Sequence, residues 1–303
     1  TAVEGVGAWQ SSLNYLMAIV VVNGIIAMLI YNWINKKVLT DPRFAKPEEE
    51  KKPKKSKPKL SMKESFQFLI RSKYLGYIAI LVISYGICIN LVEVTWKGQL
   101  KEYFAGDKNA YNAFMGNFST VTGIVTILFI YIFGKNAMGR IGWTKTAQIT
   151  PIVLLTTGAA FLSFIIFKES FNGMAASLGT TTLALAVVFG MTQNFLSKAC
   201  KYSFFDPTKE SAYIPLDQES KVKGKAAVDV VGARLGKSGG ALIQQGLIIG
   251  FGSLSAVTPL IGVLVVLFVG AWMFAAKGLG KQYDALILEK EGEAAKQKPA
   301  AAT

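Results

Sequence analysis

Seven long apolar stretches alternate along the chain with short polar segments and one long basic one. Each approaches the roughly 20 residues that a helix needs to cross a bilayer core. The stretches cover 12–34, 74–96, 112–133, 147–167, 178–197, 227–251 and 258–276. Leu13 to Ile34, Tyr74 to Val92 and Val257 to Ala276 are the sharpest. The pattern predicts an all-α membrane protein with seven transmembrane helices.

Charge orients these helices. With the N-terminus outside, 27 of the 33 Lys and Arg fall in inner segments and four in outer ones. The remaining two, Arg234 and Lys237, lie within a span. Such an asymmetry is the positive-inside pattern, and a miscounted span would scramble it. The net charge of +14 is therefore mostly a matter of topology.

Composition narrows the chemistry. Hydrophobic residues make up 51% of the 303 and charged residues 17%, against about 25% charged in soluble domains. There is no histidine, which excludes His-based triads, His metal sites and imidazole switches. Cys88 and Cys200 are far apart and form no CxxC pair, so neither a disulfide scaffold nor a thiolate zinc site is expected. The 29 glycines fit tightly packed membrane helices.

The run Glu48 to Lys59, EEEKKPKKSKPK, is too polar to bury a core and reads as a disordered linker near anionic lipid. It lacks interleaved aromatics, so nucleic acid is not an expected partner. Lys97 to Tyr111 reads as a polar outer loop with a short helix. Lys198 to Lys225 mixes aromatics, prolines and balanced charge and reads as ordered against the bundle. The chain begins at Thr1 without Met and shows no signal-peptide pattern, so it reads as a piece of a longer protein.

Charged groups within a span cost about 2.5–3.5 kcal/mol each on insertion scales and so point to function. Glu93, in INLVEVTWK, shares one helix face with Gly86, Asn90 and Lys97. The competing reading is a helix-end Glu93–Lys97 pair at i,i+4. The second place is VVGARLGKSGGALIQQ. With Lys237 set to zero, Arg234 falls near +60°, Gln244 near −20° and Gln245 near +80°, at about 100° per residue. Glycines 232, 236, 239, 240, 246 and 250 fall between about 180° and 300°. Gly232, Gly236 and Gly240 form a seam that admits a neighbouring helix closely, leaving the basic face to a cavity. The alternative is that both cations simply sit at the cytoplasmic helix end. Lys237 is about ten residues inside the span, near mid-membrane at about 1.5 Å per residue, which favours the cavity.

GARLGKS invites a P-loop reading, but only three residues separate Gly232 from Gly236, and no acidic strand end follows. An ATPase is disfavoured. GKNAMGRIGW, in an inner loop, is faintly similar to the basic loop of major-facilitator transporters, with the spacing off by one and the acid missing.

Residues 193–245, from QNFLSKACKYSFFDPTKESAYIPLD through VVGARLGKSGGALIQQ, closely resemble the non-mitochondrial ATP/ADP translocases of plastids and obligate intracellular bacteria. YGICINLVEVTWK, Tyr85 to Lys97, resembles the same family, and the likeness runs from about residue 10 to 285. It implies a twelve-helix, major-facilitator-like transporter. This chain would supply the last helix of the N-terminal half (1–34), the cytoplasmic basic linker (35–73), the six-helix C-terminal bundle (74–277) and a cytoplasmic tail (278–303). Half of the substrate cavity would lie in the missing N-terminal half. The resemblance places the family's transport charges on Glu93 and Lys237. Together with Arg234, Asn90 and Gln244 these form the expected substrate site.

The function so implied is antiport of ATP for ADP, with phosphate as a candidate co-substrate, in a bacterial inner membrane or plastid inner envelope. No enzymatic step, cofactor or metal is expected. Proton-coupled import of nucleotides, or carriage of NAD, is the alternative within the family. A seven-span receptor is the rival outside it. Val257 to Ala276 has no lysine for retinal, and DRY and NPxxY patterns are missing.

Overall fold

In the computed structural model residues 2–39 and 62–297 are described. The chain divides into two compact units, Thr1–Lys57 and Pro58–Thr303. The described part of the first is helix α1 (Ala2–Trp33), continued by one π-helical turn, Ile34–Val38. The second comprises α2 (Met62–Arg71), α3 (Lys73–Tyr103), α4 (Lys108–Phe133), α5 (Ala137–Ile141), α6 (Trp143–Ile166), α7 (Lys168–Ser177), α8 (Thr182–Cys200), α9 (Asp206–Ser211), α10 (Gln218–Phe251) and α11 (Leu254–Gln297).

Six of the seven expected spans, in α1, α3, α4, α6, α8 and α11, are long and apolar enough to cross a membrane. The seventh, 227–251, lies within α10. That helix has 34 residues, about 50 Å, which is ample length. Its composition sets it apart: Arg234, Lys237, Gln244, Gln245 and a run of glycines dilute the apolar content below that of the others. The basic run Glu48 to Lys59 lies outside the described residues. Met62–Arg71, at the end of the expected linker, is helix α2, packed on α10 and α3. The expected tail continues α11 as far as Gln297.

Helix ends follow local chemistry. Ser72 Oγ accepts the Leu75 N–H at the start of α3, at 3.4 Å. Asp107 Oδ1 accepts from Asn109 and Ala110 N–H at 2.9 and 3.0 Å and starts α4. These contacts satisfy amides that have no partner within the helix. Gly252 ends α10 in the left-handed region at φ 84°, where a side chain would be strained. The segment Lys97 to Tyr111, expected as an outer loop with a short helix, holds the last turns of α3, a tight turn and the first turn of α4, rather than a separate short helix.

α3 is the centre of the second unit and packs on α10, α11, α8 and α2. Towards α11 the contact is made by side chains. Tyr85 stacks on Phe205 at 4.7 Å, and both meet the Trp272 ring edge-on at 5.8 and 5.3 Å. Towards α8 the Trp96 indole N–H donates to the Val187 carbonyl at 3.0 Å. Gly190 leaves room for that ring, since a Cβ there would strike Trp96 and Phe161.

The segment between α8 and α10 is ordered, as its composition implied. Pro207 has no N–H to give the carbonyl of Ser203, and the helix re-registers into a π turn, Lys201–Phe205. This register brings Lys201 and Asp206, five apart, into an ion pair at 2.6 Å. Trp143, at the start of α6, clamps the segment. Its indole N–H donates to the Thr208 carbonyl and to Ser211 Oγ, both at 3.0 Å, while its ring stacks on Tyr283.

Candidate functional site

Gly232, Gly236 and Gly240 make the close contact that the four-residue spacing announced, and its partner is α3. Gly239, Gly246 and Gly250, which the same arithmetic put on that face, stay outside it, since a Cβ on any of them would meet nothing within 4 Å. A Cβ on Gly86 would lie 2.7 Å from the Gly236 Cα. A Cβ on Gly240 would lie 3.0 Å from Asn90 Cβ and 3.2 Å from the Ile87 Cα. Gly232 meets the Val82 side chain in the same way, at 2.8 Å. Backbone therefore runs against backbone at Gly236 and Gly240, with the Val82 side chain seated on Gly232, a packing that only small residues permit. Gly86, read from sequence as part of the Glu93 stripe, is the α3 side of this contact.

The site residues divide between two environments. Asn90 and Gln244 are drawn into the α3–α10 contact. Gln244 is 2% exposed, and its Nε2 donates to Thr95 Oγ1 at 3.4 Å. The Asn90 Oδ1 and Gln244 Oε1 atoms are buried and accept no hydrogen bond. Arg234 and Lys237 lie on the exposed side of α10. Among the described residues neither has an ion-pair partner. The structure thus leaves both cations exposed on α10, and Lys237 borders the contact with α3: a Cβ on Gly86 would lie 3.3 Å from its backbone nitrogen.

Glu93 and Lys97 form the i,i+4 ion pair at 2.8 Å, with side chains 27% and 38% exposed. Among the described residues Glu93 pairs with Lys97 and not with Arg234 or Lys237; all three lie on the α3–α10 pair of helices.

The GARLGKS segment lies in the interior of α10, so it has no loop to cradle phosphate and no strand before it. GKNAMGRIGW forms a 3-10 turn, Gly134–Asn136, then α5, and turns at Gly142 with φ 80°.

Sequence reasoning missed the clamp at Trp143 and the anchoring of the first turns of α10. Asp217 Oδ1 accepts from Ser220 N–H at 2.9 Å, and hydrogen bonds from Ser220 hold its carboxyl below the usual range. Lys225 donates to Glu210 Oε2 at 2.5 Å, and this bond raises its ammonium pKa above the ordinary value. Burial pushes the Tyr213 hydroxyl up, and that hydroxyl has no hydrogen-bond partner. The aromatic and proline content of KYSFFDPTKESAYIPLD was the available signal.

Span-capable helices around an α3–α10 pair with a free basic face define a multi-pass integral membrane protein. Residues 1–283 match the family described as TLC ATP/ADP transporter, and the chain belongs to that family. It is 52% identical over 301 residues to ADP,ATP carrier protein 1 of Chlamydia pneumoniae, covering 99% of this chain and 58% of that one. It is 49% identical over 289 residues to ADP,ATP carrier protein 1, chloroplastic, of Arabidopsis thaliana, covering 95% and 45%. ADP,ATP carrier protein 1 of Rickettsia typhi is 47% identical over 280 residues, covering 91% and 55%. The chain spans about half the length of the curated relatives it matches. No solved structure is significantly similar to it.

Proposed function

We propose that the chain is the C-terminal half of a nucleotide antiporter exchanging ATP for ADP, with phosphate as a candidate co-substrate. The carrying observation is the exposed pair Arg234 and Lys237 on α10, without an ion-pair partner among the described residues and beside the close glycine contact with α3. Family membership and relatives named ADP,ATP carriers on both bacterial and plastid lines support it.

In this reading α10 is the seventh span, and its polarity is the polarity of a cavity wall. At an effective dielectric of about 20, one Lys–phosphate contact near 4 Å contributes about 4 kcal/mol before desolvation. One or two cations per half hold a polyphosphate without trapping it. Glu93 competes with phosphate for a cation and is the coupling charge. Asn90 and Gln244, with their open carbonyl oxygens, set the spacing of α3 and α10 beside the substrate. The α1 helix is the last of the N-terminal half, and α3, α4, α6, α8, α10 and α11 are the six of the C-terminal half. The other half of the cavity comes from helices outside this chain, and the two halves rock about the central site. The membrane is a bacterial inner membrane or a plastid inner envelope, with the N-terminus of α1 outside.

The test is exchange of labelled ATP for internal ADP in proteoliposomes holding the full-length carrier. Lys237→Gln abolishes exchange while its thermal unfolding stays that of the parent. Parent-level exchange by this variant overturns the assignment.

A further inference from the structure

Three of the grooves on the described surface of the second unit are apolar. One, of about 400 Å³, lies between α6 and α11 and is lined by Leu155, Ile166, Pro259 and Val266 among others. One, of about 390 Å³, lies between α4 and α8 beside Phe114 and Phe195. Neither has a charged residue among its lining. The third, of about 430 Å³, lies where α2, α3 and α10 meet, over Ile70, Gly76, Ile80, Ile83 and Val231. It alone of the three is lined by a cation, Lys73, and Arg71 ends α2 two residues earlier.

Two features of this groove bear on its occupant. Its apolar rim is open: Ile70 is 67% exposed and Ile80 38% exposed. Ile80 lies eight residues into a helix apolar enough to span a membrane, so hydrocarbon is the surrounding medium. The second feature is charge. Arg71 and Lys73 are exposed, and among the described residues neither has an ion-pair partner and no acidic side chain lines the groove. Ser72 between them is occupied with the Leu75 amide. An apolar slot with one cation, Lys73, in its lining and a second, Arg71, next to lining residues Ile70 and Ser72 in the chain matches a ligand with a long hydrocarbon chain and an anionic head.

We infer that the α2–α3–α10 groove is a binding site for an anionic glycerophospholipid. One acyl chain lies along Ile80 and Ile83, and the phosphate sits at Arg71 and Lys73. Basic pockets at helix ends select anionic headgroups, and each Lys or Arg near such a head contributes about fivefold in affinity. The lipid ties α2 to the base of α3 and α10. The site is separate from the basic face of α10 and does not depend on the proposed exchange.

The test is a titration of the purified full chain in detergent, read by native mass spectrometry. Phosphatidylglycerol and phosphatidylcholine of matched acyl chains are the probes. The parent retains phosphatidylglycerol on the order of 10-fold more tightly. The Arg71→Gln/Lys73→Gln double variant loses this preference, Lys290→Gln keeps it, and Ile80→Trp weakens both lipids by filling the slot. Excess inorganic phosphate does not displace phosphatidylglycerol. Equal binding of the two lipids by the parent, an unchanged preference in the double variant, or displacement by phosphate overturns the site. If a variant fails to fold, phosphatidylglycerol with a photoactivatable acyl chain keeps the test on the parent. Cross-links at 70–83 support the site, and cross-links confined to α4, α8 or α6 overturn it.

Discussion

Helices α10 and α11 flank the same central helix and meet it in opposite ways. α11 is packed by side chains. Val257, Ile261, Val265, Val269, Trp272, Ala276 and Leu279 recur at three- and four-residue spacing and are all buried. Its other face, with Val263, Val266, Leu267 and Phe274, is apolar and exposed, as a lipid-facing surface is. α10 meets α3 through Gly232, Gly236 and Gly240, with Val228 and Val231 buried just before them in the chain, and keeps Arg234 and Lys237 exposed. A helix that only needs to fill space uses large apolar residues. A helix that must keep one face polar gains its hold from close backbone approach instead, so its polar face stays free.

The comparison breaks most severely at Trp272. Trp272→Ala removes a fully buried ring that meets both rings of the Tyr85–Phe205 stack edge-on and costs about 3–5 kcal/mol. Thermal unfolding in detergent measures the loss, and a change under about 1 kcal/mol contradicts the packing described. On α10 the vulnerable positions are the smallest ones. Gly236→Ala drives a methyl to 3.1 Å from the Gly86 Cα, and Gly86→Ala is worse at 2.7 Å; each costs about 1–3 kcal/mol. Gly262→Ala on α11, with no atom nearer than 3.8 Å, is tolerated and gains up to about 1 kcal/mol of helix propensity.

Much of this contrast was legible in the sequence. The four-residue spacing of Gly232, Gly236 and Gly240 announces a close contact, and the 100° arithmetic puts Arg234 and Lys237 away from it. What periodicity does not reveal is the partner. Gly86 shares a face with Glu93, and nothing local says that it meets Gly236. Gln244, at −20° from Lys237, sits at the border of the seam, and its burial against Thr95 depends on how closely the helices approach. Helix α2 was hidden because its charges continue those of the basic run before it, while Leu69 turns inward. The π turn at Lys201–Phe205 follows from Pro207 through a missing hydrogen bond, which hydropathy does not register.

Glu93 sharpens the comparison on the α3 side. An exposed i,i+4 pair is worth under about 1 kcal/mol, so as a mere helix-end pair either partner is dispensable. As a coupling charge, Glu93→Gln cripples exchange in proteoliposomes while Lys97→Gln has much less effect. Equal damage makes the pair the functional unit. Orientation is checked by cysteines at Lys55 and Gly173: an impermeant maleimide outside labels only Gly173→Cys. The smallest effect is at the base of α10. Lys225→Met costs under about 1 kcal/mol, since the pair with Glu210 is half exposed. The Lys225 pKa is raised in the folded state, so this contribution is present below the unfolded lysine value and is lost as pH rises through the folded one. Parent and variant unfolding curves converge at alkaline pH.

The central claim is that the basic face of α10 looks into an aqueous nucleotide site while the outer face of α11 looks into lipid. Single cysteines at Arg234 on α10 and Val266 on α11 test it directly in the full-length carrier. The native Cys88 and Cys200 are buried and give little background. A charged, water-soluble thiol reagent is expected to label Arg234→Cys and to be blocked by added ATP or ADP, while Val266→Cys stays unlabelled with or without nucleotide. Labelling at 234 that nucleotide does not alter, or equal labelling at both positions, contradicts the account.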